Sequence, residues 1–107
     1  MKELTFYKHS NGKEPVKAWL EQLDVSMRLR ILSRLTRIEN GNYGDFKKID
    51  DEISELRFNF GSGYRIYFTE VNNIIILLLN AWDKKTQSKD IKQAKEYLQI
   101  WRTNNGL

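Results

Sequence analysis

Residues 56–68 read Leu56-Arg57-Phe58-Asn59-Phe60-Gly61-Ser62-Gly63-Tyr64-Arg65-Ile66-Tyr67-Phe68, and the fold turns on them. Leu56, Phe58 and Phe60 alternate with Glu55, Arg57 and Asn59, while Tyr64, Ile66 and Phe68 alternate with Arg65, Tyr67 and Thr69. Successive side chains of a strand point to opposite faces, so this period of two predicts a pair of half-buried strands. Gly61-Ser62-Gly63 is a three-residue connection rich in glycine, which makes the pair a hairpin. Downstream, Asn72-Asn73 supplies a second turn, and residues 74–79 are apolar without interruption, as in a central strand covered on both faces. The three strands form an antiparallel meander.

Upstream, Leu4-Thr5-Phe6-Tyr7 is a short strand that ends in the turn-like His9-Ser10-Asn11-Gly12 and is placed at a sheet edge. Pro15 suits the first turn of a helix whose Val16, Trp19, Leu20 and Leu23 recur at three and four residues. Ser26 is the expected cap of a second helix, with Met27, Ile31, Leu35 and Ile38 in one stripe and Asn40-Gly41 as its stop. Arg30, Arg34 and Arg37 share a neighbouring face of that helix, either as a solvated flank or as a contact for a polyanion. Thr86 or Ser88 is expected to cap a last helix with Ile91, Ala94, Leu98 and Trp101 on one side, and residues 103–107 to fray. The expected fold is therefore a single α+β domain over residues 1–107 in the order βααβββα, an antiparallel sheet packed against helices.

A chain of 107 residues has room for one modest core. With no cysteine there is no disulfide framework, thiolate zinc site or cysteine nucleophile, and the cytoplasm is the expected compartment. The longest apolar run is residues 74–79, and Met1-Lys2-Glu3-Leu4 carries an acid and no apolar stretch, so neither a membrane span nor a signal peptide is expected. Lys and Arg number 18 against 14 Asp and Glu, a net charge of +4. Six of those bases and only three acids lie in residues 83–107, and such local positive fields attract nucleic acid.

The single histidine, His9, excludes a two-histidine ribonuclease mechanism within one chain and reads as an ordinary turn residue. No phosphate-binding loop precedes a helix. Asp45, Asp50, Asp51, Glu52 and Glu55 have no periodicity that gathers them around one ion, so no metal and no cofactor is expected. What remains is a set of bases on adjoining elements: Arg57 and Arg65 on the hairpin, and Lys84, Lys85 and Lys89 after the third strand. A concave positive surface made from these suits phosphoryl chemistry and equally suits plain phosphate binding.

The stretch at 56–68 resembles the "LR…G.GYR.YF" hairpin of RelE/ParE-superfamily toxins from type II toxin–antitoxin modules, specifically the phage-derived killer-protein branch related to HigB. Asp83-Lys84-Lys85-Thr86-Gln87-Ser88-Lys89-Asp90-Ile91-Lys92-Gln93-Ala94 is similar to that branch's second signature, "DKKTQ.KDI..A", and the two together span a resemblance over residues 3–101. It implies a RelE-like fold and a metal-independent endoribonuclease that cuts messenger RNA on the ribosome and is silenced by a cognate antitoxin. The implied reaction is attack of a ribose 2′-hydroxyl on the adjacent phosphate. Within the resemblance, Arg65 clamps the phosphate, Arg57 is a second donor, and Lys84 serves in proton transfer or stabilises the leaving group. Tyr64 and Tyr67 stack on a base, relay a proton or pack the sheet, Trp82 narrows the site or stacks on RNA, and Lys85 and Lys89 extend the binding surface. The sequence departs from the family at Asn80-Ala81-Trp82, where many relatives have glycines, and at Glu55, where some carry a base. Two other readings stay open: a gyrase-poisoning toxin like ParE, and a non-catalytic nucleic-acid-binding module. The exposed apolar edges of the first two helices are the surface expected to meet an antitoxin.

Overall fold

All of the apolar run at 74–79 except Ile74, which lies in the preceding turn, becomes part of an interior strand of the sheet. The computed structural model describes residues 1–61, 63–83 and 87–106, without the side chains of 87 and 88. Strand β5 (Ile75–Trp82) lies between β1 (Glu3–Phe6) and β4 (Arg65–Val71), and β3 (Ser54–Arg57) and β2 (Phe46–Lys48) follow outward. The two-residue turn at Asn72 and Asn73 has φ of 54° and 57°, and the Ile74 N–H donates to the Val71 carbonyl at 3.1 Å. Positive φ at both central positions matches the right-handed twist of the strands it joins.

Two expectations need correction. The sheet is mixed, because the edge strand β1 runs parallel to β5, with Leu4 opposite Ile76 and Phe6 opposite Leu78. The order is βααββββα, since the three-residue β2 pairs with β3. Its three side chains are all exposed, so no alternation announced it.

Helices α1 (Pro15–Gln22) and α2 (Val25–Glu39) cover one face, where Val16, Leu20, Ile31, Leu35 and Ile38 meet Leu56, Ile66, Phe68, Ile76 and Leu78. Helix α3 (Gln87–Asn104) covers the other, where Ala94 and Leu98 meet Ile53, Tyr67, Leu77 and Leu79. The strands read as half-buried are thus buried on both sides. Asp24, and not Ser26, caps α2: its carboxylate accepts the Met27 N–H at 3.0 Å, and Ser26 sits inside the helix. Ser88 lies within α3, Thr86 falls outside the described residues, and the helix continues to Asn104 instead of fraying at 103.

A register shift in the β4–β5 ladder shapes one end of the sheet. Asn80 lies opposite Tyr67 and Leu78 opposite Phe68, so Leu79 is the extra residue of a bulge. The alternation along β5 therefore reverses: Ala81 joins Ile76 and Leu78 against α1 and α2, while Asn80 and Trp82 turn to the face of Tyr67 and Arg65.

Arg34 belongs to the scaffold, not to a polyanion surface. Its guanidinium donates to the carbonyls of Tyr43 and Asp45, both at 3.0 Å, and to that of Arg57, and it lies over the Phe58 ring. Arg30 stacks on Phe60 with 3.9 Å from guanidinium carbon to ring centroid. Arg37 is exposed and, among the described residues, its guanidinium reaches Ser33 on its own helix. Replacing Arg34 by Ala leaves three carbonyls short of a donor and is expected to cost about 2 kcal/mol of unfolding free energy in urea, whereas Arg37→Ala stays within about 0.5 kcal/mol.

Asp50 accepts Lys95 at 2.5 Å and the N–H groups of Glu52 and Ile53 at 2.8 and 2.9 Å. These donors hold its pKa at about 2, against an ordinary 3.8. A depressed carboxylate pKa gives stability that is present above the unfolded value and is lost as pH falls through the folded one. Acid unfolding of the parent is therefore expected to steepen between about pH 4 and pH 2, and Asp50→Asn to flatten that limb in a pH-dependent melt.

Candidate functional site

Where β3, β4 and β5 end together, three register partners form a row: Arg57 opposite Arg65, and Arg65 opposite Trp82. Directly opposed side chains on neighbouring strands have Cβ atoms about 5 Å apart, and two cations placed so repel each other. Each arginine accordingly has a carboxylate. Arg57 reaches Asp45 through Nε at 3.2 Å and Nη2 at 3.0 Å, with about 41% of both side chains exposed. Arg65 Nη1 lies 3.8 Å from Glu55, which is only 1% exposed.

The next row inward is Glu55, Tyr67 and Asn80. Burial pushes the Tyr67 hydroxyl pKa well up, with the Glu55 charge adding to the shift and the Arg65 guanidinium opposing it. The phenol is neutral. Asn80 Nδ2 donates to the Asp90 carbonyl at 2.9 Å, which ties the start of α3 to this row.

Arg57 and Arg65 line a hollow of about 520 Å³ with Asp45, Asn59, Tyr64 and the glycines of the hairpin loop. Gly61 and Gly63 have φ of +60° and +80°, and a Cβ on Gly61 would meet the Tyr64 ring at 2.7 Å. Glycine here lets the loop fold down beside Tyr64 and leaves the hollow open. Tyr64 itself packs edge-on against Trp19 and Phe60.

The structure thus brings Arg57, Arg65, Tyr64 and Trp82 to one end of the sheet. Lys84 and Lys85 lie outside the described residues, although the chain leads towards them from Trp82. Lys89 is exposed on the first turn of α3 and does not line the hollow. Tyr67 is fully buried beneath α3, so it offers no ring to a base. The acidic residues disperse: Asp45 to Arg57, Asp50 to Lys95, Glu52 to Arg102 at 2.5 Å, Glu55 to Arg65. Sequence reading missed Asp45 as the anion at Arg57 and Glu55 as a buried group. The alternation at 54–57 put Glu55 on a polar face, and only the helix covering that face makes it internal.

A small three-layer protein with paired arginines in a hollow at the end of its sheet is the class that fold and site define. Residues 18–100 match the family described as Phage derived protein Gp49-like (DUF891), and the chain belongs to that family, which is associated with toxin–antitoxin modules. An uncharacterized protein of Haemophilus influenzae (strain KW20 / Rd) is 44% identical over 79 residues, 73% of this chain and 80% of the relative.

Because the Asp45–Arg57 pair is exposed, it is worth only about 0.2–1 kcal/mol, so displacing the carboxylate with another anion would cost little. Asp45→Asn is expected to tighten binding of inorganic phosphate about two- to fivefold at low salt, followed by NMR titration. Unchanged or weaker binding would show that Arg57 is not part of an anion site.

Proposed function

We propose that the protein is the toxin of a toxin–antitoxin module and acts as a metal-independent messenger RNA endoribonuclease that works on the ribosome. The observation that carries this reading is the opposition of Arg57 and Arg65 at the rim of one hollow. Two guanidinium groups held side by side match the oxygens of a phosphodiester and the extra negative charge of its transition state. The hairpin resemblance at 56–68 supports the choice of RNA cleavage over other phosphoryl chemistry.

In this reading the 2′-oxygen of a ribose forms a bond to the adjacent phosphorus as the bond to the 5′-oxygen breaks. A base removes the hydroxyl proton and an acid protonates the leaving oxygen, giving a cyclic phosphate and a 5′-hydroxyl. Arg65, fixed from beneath by Glu55, holds the non-bridging oxygens, and Arg57 joins it once Asp45 swings away. Lys84, which the resemblance assigns to proton transfer, stands two residues beyond Trp82 in the chain. Tyr67 takes no part as a base, since its buried phenol holds its proton.

Helix α2 leaves Val25 and Leu29 more than half exposed, with Leu32 on the same side. These apolar side chains beside Arg30 and Arg37 support an antitoxin as partner, one that brings its own apolar stripe with acidic flanks.

Inducing the protein and mapping RNA ends across the transcriptome tests the activity. Arg65→Ala, checked for folding by circular dichroism, is expected to lower the cleavage rate by about a hundredfold or more. Equal cutting by the variant sinks the assignment of Arg65. Intact transcripts with broken DNA would instead select a gyrase poison, and salt-dependent RNA binding without turnover a binding module.

A further inference from the structure

Beside the cationic hollow lies a second cavity, of about 250 Å³. Trp19 lines it, Tyr64 lines the hollow, and the two rings touch edge-on with centroids 5.4 Å apart, so they form a shared wall. The lining of the second cavity is of another kind. Trp82 and Tyr97 contribute aromatic surface, and Gln22, Asn80 and Gln93 contribute three carboxamides, each with donors and an acceptor. Among the described residues no carboxylate and no arginine line it; Lys13 and the imidazole of His9 complete its polar lining.

Rings and neutral amides suit a planar, uncharged ligand whose edge carries both donors and acceptors. A nucleobase has that chemistry, and proteins read unstacked bases by aromatic stacking combined with hydrogen bonds to base edges. The volume falls below the roughly 300–1,000 Å³ of sites for larger ligands, which limits the occupant to a single ring system.

Asn80 adds an independent observation. It is 2% exposed, and its Nδ2 donates to the Asp90 carbonyl at 2.9 Å and approaches Gln93 Oε1 at 3.4 Å. A carbonyl only accepts, so the amide orientation is fixed and Oδ1 is left as a buried acceptor without a hydrogen-bond partner among the described residues. A buried acceptor in that state is costly, and an N–H on a ligand edge relieves it. Next to it Trp82 is 46% exposed and is the register partner of Arg65. Neighbouring strands lie about 5 Å apart, so the indole and the guanidinium start from adjacent positions at one end of the sheet.

We infer that this cavity receives one base of an RNA strand whose phosphate rests on Arg57 and Arg65. The base stacks on Trp82, and its edge meets Asn80 and Gln93. The inference rests on the ribonuclease reading for its substrate, and the test separates the two.

The full chain is titrated by NMR with adenosine, with cytidine and with ribose 5-phosphate in separate experiments. A nucleoside is expected to shift the Trp82 indole and the side-chain amides of Asn80 and Gln93, while ribose 5-phosphate shifts the side-chain signals of Arg57 and Arg65. Trp82→Ala, at an exposed position, is expected to weaken nucleoside binding about tenfold and to leave ribose 5-phosphate binding as it was. Nucleosides that shift none of the three side chains, or that bind Trp82→Ala as tightly as the parent, overturn the inference. If RNA is cut and Trp82→Ala leaves both nucleoside affinity and KM for RNA unchanged, the base site falls and the ribonuclease stands. If nucleosides bind as described but RNA is never cut, the base site stands and the ribonuclease falls.

Discussion

Strands β4 and β5 are buried on both faces, so the polar groups the sheet carries towards α3 depend for partners on one another and on that helix. That constraint organises the site. A strand pair open to water on one side would let Glu55, Arg65, Tyr67 and Asn80 solvate independently. Covered by α3, they must answer one another: Glu55 lies against Arg65, both act on the Tyr67 hydroxyl, and Asn80 binds the backbone of the covering helix at Asp90. Burying ionised groups is costly unless they are paired. The Glu55–Arg65 pair, 3.8 Å apart, is therefore part of the buried polar layer between the sheet and α3.

The bulge at Leu79 and Asn80 is what makes this arrangement possible. Without the extra residue, Asn80 and Trp82 would continue the face of Ile76 and Leu78 and compete with Val16 and Leu20 for the apolar core. The bulge sends small Ala81 to that core and places Trp82 beside Arg65. Bulges commonly re-aim side chains next to functional sites, and this one converts an apolar central strand into one that ends in a polar and aromatic rim.

Much of this was legible in the sequence, in proportion to how local the cause was. The uninterrupted run at 74–79 identified an interior strand, although Ile74 lies in the turn before it, and the stripes Ile31, Leu35, Ile38 and Ala94, Leu98 found the buried sides of α2 and α3. Arg57 and Arg65 could be brought near each other on one hairpin, but not set opposite: a three-residue loop at 61–63 puts Arg57 opposite Tyr67, whereas β3 stops at Arg57 and β4 begins at Arg65, which makes the two arginines register partners. The parallel pairing of β1 was not readable, since a four-residue strand carries the same pattern whichever way it runs. Nor was the role of Arg34, because three arginines at helical spacing look equivalent until the loop around Tyr43 and Asp45 folds against one of them. Glu55 looked exposed for a similar reason: alternation separates two faces but does not say whether a second layer will cover the polar one. The strand end at Trp82 was missed because a bulge breaks the very periodicity used to trace a strand.

The two arginines differ in a way that bears on how an anion enters. Arg65 is held by a carboxylate that is buried and cannot leave, so its charge is partly neutralised but its position is constant. Arg57 is held by one that is exposed and reached through a loop pinned by Arg34, so its charge is exchangeable. In the proposed reading, a phosphate arriving at the hollow would meet one guanidinium already in place and take the second from Asp45, trading one oxyanion for another. The like-charge repulsion between Arg57 and Arg65 would favour that exchange, because a phosphodiester lying between them would screen both cations, whereas Asp45 screens only the one it faces.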